Sequence, residues 1–190
     1  MGRRHLILAS KSPRRLELLG RLGVSPDSVV PAEIDETPFK NELPKGYALR
    51  LAREKALSIP TDNYVLSGDT VVSIGRRILP KAENISTARQ CIEALSGRRH
   101  RVMTAVALKL PDQSLLQKFS ETLVRFKRLH PKEIDYYLET EEWQGKAGGY
   151  AVQGFAESLI TRIDGSHSCV MGLPLFETRA LLKAAGFSVG

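Results

Sequence analysis

Apolar positions along this chain switch between two periods, and the switches mark its elements. Leu6-Ile7-Leu8-Ala9 is a short continuous apolar run, the pattern of a buried strand. It stops at Ser10-Lys11-Ser12-Pro13-Arg14-Arg15, after which Leu16, Leu19 and Leu22 recur as the core positions of a first helix. Ser12 stands at its N-cap and Pro13 at its first helical position, and Gly20 and Gly23 offer stops. Val29-Val30 is a short strand leading through Pro31 to Glu33, Asp35 and Glu36. A second helix is predicted from about Pro44 to Ile59. Asn63-Tyr64 opens an apolar strand, Val65 to Ile74, and Gly75-Arg76 turns the chain into a return strand at Ile78-Leu79. A third helix, capped by Asn84 or Ser86, ends at Ser96-Gly97. Two long alternating strands follow, about Arg101 to Leu110 and Leu116 to Phe126, joined at Pro111-Asp112. A short helix from Pro131 to Leu138 precedes a glycine-rich stretch, Lys146 to Gly154. A strand from Leu159 to Ile163 and a C-terminal helix from Pro174 through Ala185 complete the pattern. Early alternation of strand and helix with long hairpin strands in the middle reads as a mixed-sheet α/β protein, whose middle strands can build a second lobe on the shared sheet.

Composition adds constraints. The chain has 190 residues, 28 Lys plus Arg against 21 Asp plus Glu, a formal charge of +7 and a pI of about 9.6. That length suits one domain or two lobes sharing a sheet. The basic balance fits anionic partners without choosing among nucleotides, nucleic acid and a membrane surface. The excess is scattered over Arg3-Arg4, Arg76-Arg77, Arg98-Arg99 and Arg125 to Arg128, so no charge block marks a disordered arm. Cys91 and Cys169 read as free thiols of a reducing compartment. The apolar run near the N-terminus is too short for a signal peptide, and no run spans a bilayer. A cytoplasmic protein without membrane partners is expected.

Charged residues in apolar settings carry the candidate chemistry. At the Ser10–Arg15 turn, first-turn backbone donors, the positive end of a helix dipole and the cations Lys11, Arg14 and Arg15 converge, which describes a phosphate site. Asp69 interrupts the apolar strand YVLSGDTVVSI, where an unpaired carboxylate is costly, and Gly68 beside it leaves room for another group. Pairing residue 74 with 77 across the turn and counting on places Lys81 opposite Thr70, beside Asp69. On the second helix, Ala48, Leu51, Ala52, Ala56 and Ile59 form one apolar face, and Lys55 falls inside it. A lysine there needs an anionic partner or must reach the edge. Glu33, Asp35 and Glu36 offer hard oxygens for Mg²⁺ beside a triphosphate, with Glu33, first after the strand, preferred. Lys146 and Gln153 flank glycines that let backbone approach a ligand. The Gln153 amide can both donate to and accept from a base edge. Trp143 and Tyr150 read as packing. His100, His130 and His167 have no metal spacing, and P-loop and dinucleotide-binding glycine motifs are absent from the sequence.

In order along the chain, LILASKSPRRLELL, Glu33-Ile34-Asp35-Glu36, LAREKA at 51–56, SGDTVV at 67–72, Lys81, LSGRRHRVMTAVAL at 95–108, KAGGYAVQG at 146–154 and GLPLFET at 172–178 resemble the Maf family of nucleoside triphosphate pyrophosphatases. The resemblance implies a single Maf-like domain over residues 1–190. Its fold would be α/β, a mixed elongated sheet with flanking helices and two lobes around a cleft, similar in shape to the inosine triphosphatases. It also implies metal-dependent hydrolysis of a nucleoside triphosphate to monophosphate and pyrophosphate, with Mg²⁺ or Mn²⁺ as cofactor. Ser12-Pro13-Arg14-Arg15, Asp69-Thr70 and Gln153-Gly154 look like the subgroup that prefers dTTP and UTP. The 7-methyl-GTP group tends to carry tryptophan after the proline, glutamine after the aspartate, and glutamate in place of Gln153. Where the family usually shows Gly-Lys-Pro, this chain has Pro80-Lys81-Ala82.

Catalysis is accordingly assigned to Asp69, Lys81 and Lys55. Substrate binding is assigned to Ser10, Ser12, Arg14, Arg15, Thr70, Lys146 and Gln153, and metal ligation to Glu33 and Asp69. The alternatives are a 7-methyl-GTP pyrophosphatase and a nucleotide-sensing regulatory protein of cell division that binds without turnover. A nucleoside triphosphate is the expected partner, no specific nucleic acid is expected, and the chain is compatible with a homodimer.

Overall fold

Residues 4–189 are described by the computed structural model; Arg3 of the Arg3-Arg4 pair lies outside them. β1 (Leu6–Ala9) leads through Ser10-Lys11-Ser12 into α1 (Pro13–Gly20), followed by β2 (Ser28–Val29) and α2 (Pro44–Leu57). β3 (Tyr64–Ile74) and β4 (Arg77–Leu79) form a hairpin, then come α3 (Ile85–Leu95), β5 (Arg99–Lys109), β6 (Leu115–Phe126) and α4 (Pro131–Glu139). A 3-10 turn at Phe155–Leu159 precedes β7 (Ile160–Asp164), α5 (His167–Met171) and α6 (Leu175–Ala184). The strands form one seven-stranded mixed sheet in the order β2-β1-β3-β5-β6-β7, with β4 paired to β3 outside that path. β1 runs parallel to β2 and β3, and β3, β5, β6 and β7 are antiparallel in succession. The expected mixed α/β sheet with flanking helices is therefore what the chain builds.

The two faces of the sheet are packed differently. One carries the large core, where Leu8, Leu66, Val106 and Leu108 meet Leu18, Leu19, Ile92, Tyr137 and Leu182. The other is covered by α2 through small residues, Ala48, Ala52 and Ala56 against Val71, Ala105 and Ala107. Alanines let the helix approach the strands closely, and the Ser67 hydroxyl donates to the Ala52 carbonyl at 2.5 Å. That approach brings the Lys55 stem onto β3. Past the end of α2, the buried Lys109 ammonium donates to the Ile59 and Thr61 carbonyls at 2.7 and 2.9 Å, satisfying main-chain groups of the loop that leads to β3.

Several sequence expectations change. Leu16 is exposed at 41%, and the buried pair of α1 is Leu18 and Leu19. Ser12 occupies the N-cap position without a side-chain bond; instead its N–H donates to Ser10 Oγ at 3.1 Å. Arg15 N–H is also taken, by the Ser12 carbonyl at 3.2 Å, so that first-turn donor is not open to a ligand. The β3–β4 register is the expected one, with Ile74 opposite Arg77 and Val72 opposite Leu79, but it ends there. Pro80 has no N–H to continue a ladder, and Lys81 bridges to Ala147 instead of facing Thr70.

Candidate active site

The strand ends, the β1–α1 turn, the loop after β2 and the 144–147 segment enclose a cleft of about 860 Å³. Its centre is a chain of alternating charges. Asp69 and Lys55 are both buried, at 3% and 7% exposure. Lys55 Nζ lies 2.6 Å from Asp69 Oδ1 and 2.7 Å from Glu36 Oε1. Lys81 closes the row on the other Glu36 oxygen. Burial opposes the charge on Glu36, but hydrogen bonds and attraction from Lys55 and Lys81 outweigh it and pull the carboxyl down to about 2. Lys55 is thus the lysine beside Asp69, as its place on the apolar stripe requires, and Lys81 reaches the site through Glu36.

Glu36 lies in irregular chain between β2 and α2 and is held there from α2. Tyr47 Oη donates to the Glu36 carbonyl at 2.5 Å. Arg50 grips Glu42 through two bonds of 2.8 Å, donates to the Thr37 carbonyl at 3.1 Å, and stacks over the Phe39 ring at 4.0 Å. A bidentate arginine–carboxylate pair fixes orientation as well as charge, so one helix positions both Lys55 and the acidic loop that meets it. Glu33 lines the cleft, yet its side chain is 85% exposed and sits 3.8 Å from Lys11.

The opposite rim is cationic. Arg15 donates to the Gly172 carbonyl at 2.7 Å, to Ser10 Oγ at 3.2 Å and to Thr70 Oγ1 at 3.3 Å. Arg14 Nε reaches the Met171 carbonyl at 3.4 Å. Two features of the chain make room for Arg15. A Cβ on Gly68 would lie 3.4 Å from Arg15 Nε, and Gly172, with φ +112, ends α5 in the left-handed region and passes 3.2 Å from Thr70 Oγ1 at its Cβ position. The group that Gly68 admits is therefore a side chain of the protein. Arg15 acts as a tie between α1, β3 and the end of α5. Burial lowers the Arg14 pKa and its neighbour Arg15 lowers it further. Burial also lowers that of Lys146, with Arg14 contributing. An anion between Arg14 and Lys146 would relieve both.

Ser10, Ser12, Arg14, Arg15, Thr70, Lys146, Glu33, Lys55, Asp69 and Lys81 all line the cleft. Gln153 is exposed and does not line it. The glycines before it turn toward protein: a Cβ on Gly148 would come 2.8 Å from Val72 Cγ1, and one on Gly149 3.3 Å from Cys91 Cβ. Trp143 packs as expected, its Nε1 donating to the Leu138 carbonyl at 2.9 Å. Tyr150 is buried against Phe126 and His100, with its hydroxyl 2.8 Å from His100 Nε2, and it forms part of the cleft wall. Sequence reasoning passed over Tyr47, Arg50, Gln144 and the carbonyls of Met171 and Gly172. An aromatic and an arginine on the half-buried flank of α2 carried a signal only once the loop they hold was known.

A profile of Maf-like proteins matches residues 5–185. The chain belongs to the Maf-like family. A dTTP/UTP pyrophosphatase of Novosphingobium aromaticivorans is 58% identical over 97% of this chain and 93% of its own length. One of Zymomonas mobilis is 56% identical with the same coverage. Among solved structures, a HAM1 protein from Coxiella burnetii superposes with a TM-score of 0.51 at 14% identity, over 96% of this chain and 98% of that one. At that identity the likeness concerns the fold, a mixed sheet shared by this Maf-like chain and the HAM1 protein.

Proposed function

We propose that this Maf-like chain hydrolyses dTTP and UTP to the monophosphate and pyrophosphate. The observation that carries the chemistry is the Asp69–Lys55–Glu36 row at 2.6 and 2.7 Å, its first two members buried and Glu36 half-buried, facing a cationic rim across one cleft. The substrate choice is supported by relatives named dTTP/UTP pyrophosphatase at 50–58% identity.

Lys11, Arg14 and Lys146 receive the triphosphate oxygens, where guanidinium and ammonium groups offset charge as it builds on the leaving pyrophosphate. Asp69 takes a proton from a water whose oxygen bonds to the α-phosphorus. The α–β anhydride bond breaks, and its bridging oxygen leaves with pyrophosphate. Lys55 fixes the Asp69 carboxylate, and Lys81 fixes Glu36. Arg15, already engaged with three acceptors, holds the rim in shape.

The donor set fits a divalent cation. Asp69 and Glu36 present hard carboxylate oxygens that converge on one ammonium, and they would hold Mg²⁺ or Mn²⁺, with substrate oxygens and water completing the shell. Bound there, the cation would supply Lewis-acid neutralisation of phosphate charge. Glu33, turned to solvent, is less suited than Glu36. Among the described residues no helix is long and apolar enough to cross a membrane. Both cysteines are buried free thiols, which fits a reducing cytoplasm. A pyrophosphate-release assay over a nucleotide panel, with Mg²⁺, Mn²⁺ and excess chelator, tests the proposal. Turnover of dTTP and UTP that chelator removes is expected; nucleotide binding without pyrophosphate release would favour the regulatory alternative.

A further inference from the structure

Two of the basic runs scattered through the sequence, Arg98-Arg99 and Arg125 to Arg128, come together in the fold. Arg99 on β5 is the direct partner of Arg125 on β6, and Arg125 is the direct partner of Arg162 on β7. Direct partners in a ladder share one face of the sheet, so three arginines stand side by side across three strands. With strands ~4.8 Å apart the row spans roughly 10 Å. Like charges placed directly opposite destabilise a sheet. The turn beside the row adds more positive charge: Gly97 N–H donates to the Lys127 carbonyl at 2.9 Å and Phe126 N–H to the Arg98 carbonyl at 3.1 Å, and Lys127 and Arg128 join Arg125 and Arg162 around a depression of about 400 Å³.

Nearby acids neutralise this surface only in part, at Arg162 and Lys127. Asp164 engages only the Nε of Arg162 at 2.8 Å, Glu133 is held by Lys127 at 2.5 Å, and Glu121 by Arg101 at 3.0 Å. Among the described residues Arg98, Arg99, Arg125 and Arg128 have no carboxylate within ion-pair distance. The row is separate from the cleft. Ala105 faces Asp69 across the ladder, and Arg99 lies six residues along β5 from it, roughly 20 Å at strand rise.

We propose that this row is a second anionic site, which takes successive phosphates of a nucleic-acid backbone. Guanidinium forks match phosphate oxygens, and a row of this length suits a chain of phosphates better than a single one. Among the described residues, none of the exposed large apolar side chains lines the depression. The surface therefore lacks rings for base stacking and an apolar anchor for a bilayer. Contact is to the backbone and independent of sequence.

The test is anisotropy titration of a labelled 20-base-pair duplex of arbitrary sequence at stepped NaCl. Wild type is compared with the triple variant Arg99→Gln, Arg125→Gln, Arg162→Gln. Wild type should bind at 50 mM NaCl. Each phosphate contact contributes ~0.9 to the slope of log K against log salt. The triple variant should therefore lose about 2 to 3 of that slope and about ten-fold or more in affinity, with dTTP hydrolysis unchanged. Should the triple variant not fold, Arg125→Gln alone, at the centre of the row, should lose about one unit of slope. Asp69→Asn should retain duplex binding, which separates this site from the cleft. Absence of duplex binding by wild type at 50 mM NaCl, or an unchanged slope in the variants, overturns the proposal. So does arginine-dependent binding to vesicles containing phosphatidylserine without duplex binding, which would make the surface a membrane contact.

Discussion

The cleft and the arginine row on β5–β7 handle charge in opposite ways. In the cleft, Asp69, Lys55, Glu36 and Lys81 alternate in sign and each meets the next, while Arg15 spends its donors on three protein acceptors. On the row, Arg99, Arg125 and Arg162 repeat one sign across three strands. Buried charge must be matched from within because desolvation leaves it no other compensation. Exposed charge can stay unmatched because water screens it. Under the two proposals above the regions do different work: internal pairing preorganises groups for chemistry, and surface charge that Asp164 offsets only at Arg162 attracts a partner from outside.

The largest effect should come from breaking the alternation at its centre. Asp69→Asn keeps the shape and removes the base and one anionic ligand. It should lower kcat by about 10³-fold or more, with the melting temperature close to wild type because Lys55 keeps Glu36. Steady-state kinetics and a thermal melt on one sample check this, and wild-type turnover would make Asp69 structural.

Lys55→Ala attacks the same row from its cationic side. Taken alone, the lysine on the apolar stripe of α2 predicts a loss of turnover greater than the loss of stability. The structure changes that expectation, because removing Lys55 leaves two carboxylates facing one another in a site where Asp69 is 3% exposed. Breaking a buried pair costs about 3–5 kcal/mol, so urea unfolding at pH 7 should show a loss of that order together with the loss of turnover. A variant with wild-type stability would mean that water enters and solvates the two acids.

The parts of this site that could be read from the sequence are those governed by local periodicity. The α2 stripe marked Lys55, the apolar strand marked Asp69, and the Gly75-Arg76 turn fixed the β3–β4 register as far as Leu79. Where position depends on distant packing, the sequence was silent. Pro80 ends the ladder and sends Lys81 to Glu36. The irregular 30–43 segment has no period to say that Glu36 faces inward while Glu33 faces out. α5, at His167–Met171, is too short to show a helical pattern, yet its last carbonyls hold Arg14 and Arg15. The arginine row is invisible for the same reason, since ladder pairing across β5, β6 and β7 joins residues 99, 125 and 162.

His100 extends the comparison to a buried group that has one partner instead of two. It is 2% exposed, and while Nε2 meets Tyr150, Nδ1 has no hydrogen-bond partner among the described residues. Burial pushes its pKa down from 6.5 to about 4. The unfolded chain then binds a proton between pH 6.5 and 4 that the folded chain does not. Stability from neutral His100 is complete above pH 6.5 and is lost as pH falls toward 4, by about 3 kcal/mol at 1.36 kcal/mol per unit. Urea melts of wild type and His100→Phe between pH 7 and 4 should show that slope in wild type and a shallower one in the variant. Parallel slopes would mean that other groups carry the acid sensitivity.

The smallest effect, and the one that sharpens the functional reading most, concerns base choice. Gln153 is exposed beyond Tyr150 and off the cleft wall, so it can read a base only at the rim, with the triphosphate held inside. Its amide matches the O4 and N3–H edge of uracil or thymine, accepting from one and donating to the other. A glutamate there offers acceptors only; it repels that carbonyl and favours a base whose edge donates. Losing one such pairing costs ~1–3 kcal/mol. Gln153→Glu should therefore lower kcat/KM for dTTP and UTP relative to 7-methyl-GTP by about ten-fold or more. Gln144, which does line the cleft, supplies the control: if Gln144→Glu moves the ratio and Gln153→Glu does not, the base lies inside the cleft, and the cationic rim proposed to hold the phosphates also borders the group that reads the nucleotide.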